Sequence, residues 1–421
     1  MSNQIPVVVA GGGITGLSAA LHLAEMGAPA ILVVSGSTTS SSATAPGMIT
    51  GGQRDNFTRV AAAHQTDFAR VLWQFGDQAF DLTRSWAAHH GVLFATGRRL
   101  RLIAAPEELK EATIAVAAMN GVGIPAKLMS GLELASSPWG ASLGARILAV
   151  QDDGERGGWI DAQAFHRRLL EAVQAHSAIT LLEGTVESIS GYTASNLTVK
   201  IRAKTSPGQP SSGARSVRDA KLQTTKSTAV IAACHLAIGD LIPALKPALV
   251  SSADQWLTTR GPLDPRHSDC RWNTPGVAWS AFHNHEWGAT QPEGKLLLGG
   301  GRILRKWAGF EATEAKVEPK ISQYITAQAQ KSFSHWQGGP GDHAPIFEDA
   351  GLDCHPCDEL PIVGPMFGEG RILVAAGFMG QGLTLGFYSG HCLAKLLMTG
   401  RCDELPRRLW PERLRSLPDQ G

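Results

Sequence analysis

Net charge is nearly absent from this sequence: 38 lysines and arginines stand against 37 aspartates and glutamates, leaving +1 with histidine neutral. Without a basic or acidic excess there is no electrostatic footprint for nucleic acid, no acidic tail and no polybasic membrane patch, so a small molecule is the expected partner. Cysteine is also scarce. The six that occur (Cys234, Cys270, Cys354, Cys357, Cys392 and Cys402) are scattered over 421 residues, and no basic segment precedes the first apolar run. Together these features predict a reduced, cytoplasmic protein. Long hydrophobic runs are missing too. The most apolar late stretch, Ile372 to Met398, is broken by glycines and by Gln381, His391 and Lys395, which makes it a poor membrane span. Internal repeats are absent, as in a fold assembled from interleaved segments.

What the sequence does contain begins at residue 7. Val7 to Ala10 form a short β-branched run, and Gly11, Gly13 and Gly16 fit G-x-G-x-x-G. Such glycines allow a tight turn, the approach of a pyrophosphate to the backbone, and close helix–sheet packing. The helix N-terminus then offers free N–H groups to the anion. Leu17, Ala20, Leu21 and Ala24 recur at helical spacing and Gly27 follows as a C-cap. One part of the pattern is missing: where an acidic residue ends the second strand of such units, this chain has Val34 and then Ser35. With 43% hydrophobic residues the chain can bury a large core, and its length predicts two intimately connected domains.

Residues 37 to 53 are rich in Ser, Thr and Gly and follow the second strand, where small hydroxyl residues can wrap a phosphate. The spacing predicts helices over Asp67 to His90 and Pro106 to Asn120, and a third in "WIDAQAFHRRLLEAVQAH" with Asp161 as N-cap. Residues 203 to 227 read as a solvated loop between strands. "AVIAACHLAIG", "KLLLGGGRI" and "GRILVAAG" read as buried strands. The last precedes a second glycine turn, Gly377, Gly380 and Gly382, and a helix starting near Leu383, whose N–H groups suit a second anion or a polarised ring carbonyl. "DCHPCDE", with Cys354, His355 and Cys357, lacks a second ligand pair, and no metal is predicted.

Three segments in this order, "GGGITGLSAALHLAEMG", "SSATAPGMI" and "DELPIVGP" followed by "AAGFMGQGLTL", resemble the D-amino-acid oxidase and glycine oxidase superfamily of FAD-dependent oxidoreductases. The resemblance covers nearly the whole chain, including likeness to sarcosine oxidases. It implies an α/β chain, α+β overall. A Rossmann-type FAD domain would be built from residues 1–90, 150–235 and 345–421. An antiparallel-sheet substrate domain, from 91–149 and 236–344, would roof the flavin. It places FAD against Gly11, Gly13, Ile14, Thr15 and Gly16; in place of the missing carboxylate, Ser35 or a backbone carbonyl is the expected substitute. Ser41 and Ser42 lie on the arm, Gly47 and Met48 by the ring, Val186 near adenine, and Gly380, Gln381, Gly382, Leu383 and Thr384 along the isoalloxazine and ribityl chain. Attachment is expected to be non-covalent, because Thr44 and Gly351 stand where covalently flavinylated relatives carry His and Cys. The implied reaction is hydride transfer from an amine-bearing carbon to flavin N5, giving an imine that water hydrolyses to a carbonyl. Oxygen, a quinone or a partner subunit would take the electrons.

Departures from the family pattern define the open questions. Val34 cannot accept ribose hydroxyls, and loss of a charged acceptor costs roughly 1.5–3 kcal/mol. Cys234 replaces a glycine near the cofactor. Asp353 stands where an arginine clamps the substrate carboxylate, so an amine or cationic amino compound is one expected substrate. The other is an amino acid whose carboxylate is held elsewhere, by Arg54 or Arg59, with Arg302 a weaker candidate. Met48, Arg54, Arg59, Asp353 and Gln381 are the expected substrate-side residues, and His283, His285, Glu286 and Trp287 lie on a segment expected above the flavin. Two readings follow: an FAD enzyme oxidising an amine or amino acid, or an oxidase-like binding or scaffold subunit whose FAD site is weakened or lost. An aromatic hydroxylase is disfavoured, because no Gly-Ala-Asp-Gly-type segment occurs.

Overall fold

The computed structural model describes residues 4–35, 41–204, 221–260, 271–334 and 345–415. Residues 37–40 of the serine-rich arm, 205–220 of the polar insertion, and Cys270 lie outside the described residues. The chain divides into two units, one of Met1–Thr44, Gln163–Val250 and Cys354–Gly421, the other of Ala45–Ala162 and Ser251–Asp353.

The first unit is built on an eight-stranded sheet ordered Lys221–Ser227, Leu197–Ala203, Ile179–Ser190, Ala30–Val34, Val7–Ala10, Val230–Ala232, Glu369–Ala376, Ile362–Met366. Its five middle strands are parallel, with Val7 opposite Ala30 and Val8 opposite Val230. Antiparallel pairs close both edges. A parallel strand buried on both faces needs apolar residues at every position, which is why "VVVA" and "VIA" read as continuous runs and are buried throughout. Val8, Val199, Ile201, Val230, Ile362 and Val374 form the core of one layer. Lys221–Ser227, expected as loop, is an edge strand paired with Leu197–Ala203. Its residues are nearly all exposed, so it carries none of the alternation that betrays a half-buried strand. In "AVIAACHLAIG" the strand stops at Ala232, and a 3-10 turn and short helix follow.

The second unit holds a mixed eight-stranded sheet ordered Phe347–Pro356, Leu249–Arg260, Lys295–Gly300, Glu286–Thr290, Ala278–Ala281, Arg99–Ile103, Ala149–Asp152, Lys127–Ser130. One of its pairs is parallel, Ala278–Ala281 with Arg99–Ile103. A three-stranded sheet joins Met48–Thr50, Gly157–Ile160 and Phe94–Gly97. Helices Thr66–His89 and Pro106–Gly121 match the expected segments to within one residue at each end. The core gathers Leu100, Val150, Leu257, Trp272, Trp279 and Phe333.

These boundaries correct the expected division. Residues 45–90 and 150–162 fall in the second unit and 236–250 in the first. The reason is pairing: Met48–Thr50 forms a ladder with Gly157–Ile160, so the end of the arm travels with that sheet. Residues 345–353 follow the edge strand Phe347–Pro356 into the second unit as well.

Candidate nucleotide cradle and charged cluster

In the first unit the backbone itself makes the site. Gly11 has φ +118°, a conformation that side chains rarely adopt, and a Cβ there would stand 2.2 Å from the Ala233 carbonyl oxygen. A Cβ on Gly16 would stand 1.9 Å from Gly11 O, so helix Ile14–Glu25 can begin against the strand only with glycine at that position. Gly13 is the extended N-cap and supplies no side chain to cap the helix, and no acidic residue occupies the first turn. Free N–H groups and the positive helix end are therefore left for an anion. The arm reaches this point: Ile14 N donates to Ser42 Oγ at 3.1 Å. From the opposite side His166 Nε2 bonds the Gly12 carbonyl at 2.9 Å.

No carboxylate stands at the end of the second strand. Val34 is half-buried there, and a Cβ on Gly12 would fall 2.6 Å from Val34 Cγ1. Ser35 is exposed beyond it. Cys234 follows the strand that supports Gly11; its side chain packs against the sheet core, and burial pushes its thiol pKa up to about 11. The Val186 side chain is buried in the same core, and its strand pairs it with Ile201.

The late glycine turn lies beside the early one. Residues Gly382–Gly386 form a π-turn, which leads into helix Phe387–Thr399. π-Bulges of this kind concentrate at functional sites. The helix crosses the first helix at contact distance, because a Cβ on Gly386 would stand 2.6 Å from Thr15 Oγ1 and one on Gly390 2.5 Å from Thr15 O. Ser18 Oγ donates to Phe387 O at 2.6 Å across this crossing. Two helix starts are thus held side by side. Among the described residues, chain neighbours aside, nothing lies within 4 Å of a would-be Cβ on Gly382. Gln381, Leu383 and Thr384 are buried, and the Gln381 carbonyl accepts from Thr384 N at 3.2 Å and Leu385 N at 2.9 Å. Gly380 has φ +83°, and Gly377 lies on Pro356, its would-be Cβ 2.3 Å from Pro356 Cγ. Asp358 of "DELPIVGP" accepts both arms of Arg413, at 2.6 and 3.2 Å, which docks the C-terminal turns.

In the second unit side chains do the positioning. Buried Arg99 donates to Gly51 O at 2.5 Å and to Gln53 O, and lies 3.4 Å from Asp153. Arg101 donates to Arg54 O at 3.0 Å and Asp55 O at 2.7 Å, Asn284 Nδ2 donates to Arg54 O at 3.2 Å, and Asp77 accepts from Gly52 N at 3.0 Å. The turn that carries Arg54 is clasped on three sides. Arg59, one helical turn on, is committed to Glu111 through two bonds of 2.7 and 3.0 Å and lies 2.7 Å from His283 Nδ1. With Asp55, Glu108 and Arg101 these groups line one small cleft.

Arg302, just after strand Lys295–Gly300, is half-buried with its Cζ 4.9 Å over the Phe310 ring. Burial lowers its pKa, Asp254 and Asp353 act against that, and Arg54 reinforces it. Its Nη1 is buried and makes no hydrogen bond among the described residues. His285 is pushed below the usual histidine range by burial first, then by Arg302, His283, Arg54 and Arg59. Asp353, on strand Phe347–Pro356, and Arg302, which follows strand Lys295–Gly300, therefore act in one electrostatic neighbourhood from two different strands. Met48 packs with Trp256 and Leu297 on this unit, and its neighbour Gly47 lies on Ile160, where a Cβ would fall 2.2 Å from the carbonyl. His283 and Asn284 sit in a hairpin turn with φ +52° and +62°, Glu286 accepts from Arg146 Nη2 at 2.5 Å, and Trp287 packs against the same cluster of Trp256, Ala289 and Leu297 as Met48.

The family described as FAD dependent oxidoreductase matches residues 6–396. This chain belongs to that family. Among solved structures the FAD dependent oxidoreductase is similar to glycine oxidase from Geobacillus kaustophilus, at 15% identity and TM-score 0.72, covering 95% of this chain and 96% of the other. It is similar to L-proline dehydrogenase from P. horikoshii, at 16% identity and TM-score 0.72 over 99% of each chain. It also resembles L-amino acid deaminase from Proteus vulgaris, at 14% identity and TM-score 0.68 over 97% of each. At these identities the likeness is one of fold. A search of curated proteins finds no sequence match.

FAD is the cofactor of this family, and the cradle fits it: Gly11 and Gly16 with no room for a Cβ, a helix start whose N-cap residue brings no side chain, and open space at Gly382. Sequence reasoning missed His166, Arg101 and Asp254. All three act by reaching across the fold, and no local pattern marks them. Among the described residues no cluster of three or more His, Cys, Asp or Glu could hold a metal, and no helix is long and apolar enough to cross a membrane.

Proposed function

We propose that this FAD dependent oxidoreductase oxidises the C–N bond of an amino acid, with Arg302 as the anchor of the substrate carboxylate. The observation that carries this reading is the buried Nη1 of Arg302, without a hydrogen bond among the described residues, in a cluster where burial and neighbouring cations lower the basicity of His285. A guanidinium that is desolvated but keeps an unused donor is suited to a planar anion. Arg54, held through its carbonyl by Arg101 and Asn284, adds positive potential, while Asp254 and Asp353 favour the charged form of Arg302 against the effect of burial. The mixed signs suit a zwitterion better than a simple amine. Bound FAD would supply the hydride acceptor, leaving an imine that water hydrolyses. The chain's own task is to orient the amine-bearing carbon and exclude water. A substrate entering as the free amine needs no separate base.

The test is anaerobic bleaching of the FAD-loaded protein by amino acids and by their descarboxy amines. With Arg302→Met the Kd for carboxylate substrates should rise roughly 10- to 100-fold while that for amines stays level. Equal effects on both classes would remove Arg302 from the anchor role. No bleaching by either class would favour the scaffold reading.

A further inference from the structure

The first glycine turn is tied down on both sides of its middle. Gly11 N donates to Val33 O at 2.9 Å, Ile14 N donates to Ser42 Oγ at 3.1 Å, and the Gly13 carbonyl accepts from Leu17 N at 3.0 Å. Between these fixed points lies the Gly12–Gly13 peptide, flanked by two residues without side chains. Its one hydrogen bond among the described residues runs from His166 Nε2 to the Gly12 carbonyl, at 2.9 Å. A carbonyl oxygen only accepts, so the proton of this bond is on Nε2. His166 is placed by its helix, Ala162–Ala175, whose Phe165, Leu169 and Val173 are buried, with the Phe165 ring edge-on to Phe387 at 5.4 Å between centroids.

This bond decides which way a peptide faces. The C=O and N–H of one trans peptide point in opposite directions. Holding the Gly12 carbonyl toward His166 therefore turns the Gly13 N–H away from it, at the start of helix Ile14–Glu25 where N–H groups are left for an anion. A half-turn of this peptide plane would carry Gly13 from φ −77° to about +100°, a region that glycine enters at little cost. The flipped form presents a carbonyl oxygen where an anion needs a donor. Two glycines in succession leave both orientations open, and a side chain 154 residues along the chain chooses between them.

We infer that His166 is a positioning residue of the nucleotide turn: it pins the Gly12–Gly13 peptide in the orientation that offers the Gly13 N–H to the pyrophosphate of FAD, and so sets how tightly this chain holds its cofactor. Apparent affinity falls with the fraction of molecules in the competent orientation. Loss of the pin therefore weakens binding while the sheet beneath keeps its own bonds. The effect is independent of which substrate the enzyme oxidises.

The experiment is titration of the full-length apoprotein with FAD, followed by quenching of flavin fluorescence, and with ADP in competition against FAD. Wild type is compared with His166→Ala, His166→Asn and His166→Gln. A glutamine amide nitrogen can reach the place of Nε2, whereas that of asparagine reaches only the place of Nδ1. His166→Ala and His166→Asn should raise the Kd for FAD roughly 3- to 10-fold, the worth of one hydrogen bond. ADP should weaken by the same factor, because it carries the same pyrophosphate. His166→Gln should restore binding to within about twofold of wild type. An unchanged FAD Kd in His166→Ala, even with a lowered apoprotein melting temperature, would overturn the assignment by leaving the bond a purely structural role. So would a glutamine variant as weak as the asparagine one, a loss of FAD affinity with ADP untouched, or a wild-type chain that binds neither nucleotide.

Discussion

The two units build their sites from different materials. In the first, the nucleotide cradle is made of backbone: glycines that leave no room for side chains, two helix starts, and one serine at a helix end. In the second, the charged cluster is made of long side chains that reach across the sheet, Arg99 and Arg101 clasping the Arg54 turn and Arg302 lying over Phe310. A backbone site tolerates no Cβ but forgives the loss of one polar partner. A side-chain site depends on every charge having its counterpart.

The largest effect that would sharpen this contrast is expected from Arg99→Met. It leaves Asp153 buried without its nearest cation and frees the carbonyls of Gly51 and Gln53, so unfolding free energy should fall by about 3–5 kcal/mol. Chemical denaturation measures it. A loss below about 1 kcal/mol would show that the second unit does not depend on its buried charges.

Next comes a gain. Val34→Glu restores a charged acceptor beside the cradle and should tighten FAD binding by roughly 10- to 100-fold, measured by flavin fluorescence quenching. Unchanged affinity would mean that backbone groups already satisfy the ribose.

Acid should strike the first unit. His391 is pushed down to about 4, by burial first and then by His22 and Lys395; the His22 ring lies 4.6 Å from it. The folded state keeps this ring neutral, whereas the unfolded ring takes a proton near pH 6.5. Its stabilising contribution is therefore complete above that pH and lost as pH falls toward 4. For a partly exposed ring, solvent screening leaves about 1–2 kcal/mol. His391→Phe should flatten the fall in melting temperature between pH 7 and 4, and an unchanged slope would assign the acid sensitivity elsewhere.

The smallest effect belongs to Arg59→Ala. Arg59 is partly exposed and already satisfied by Glu111, so stability should change by about 0–1 kcal/mol. The substrate Kd should stay level, and a large rise would return Arg59 to the carboxylate site.

This contrast also explains what could be read from the sequence. The cradle was legible because Gly11, Gly13 and Gly16 are spaced along one turn, and the buried parallel strands around it are apolar at every position. The long amphipathic helices of the second unit were legible for the same local reason. The edge strand Lys221–Ser227 was not, since both its faces are wet. Nor was the division at Thr44, which depends on Met48–Thr50 pairing with a strand a hundred residues away. Asp353 could be read as a departure and Arg302 as a weaker candidate clamp; that the two charges act on each other could not be read, because only the fold of the sheet brings them together.

The central claim is that a backbone-built cradle binds FAD even though Val34 stands where the ribose carboxylate belongs. The direct measurement is the visible spectrum of the purified chain after mixing with FAD and gel filtration. The account predicts flavin bands eluting with the protein. A colourless protein peak, with all the flavin in the small-molecule fractions, would contradict it.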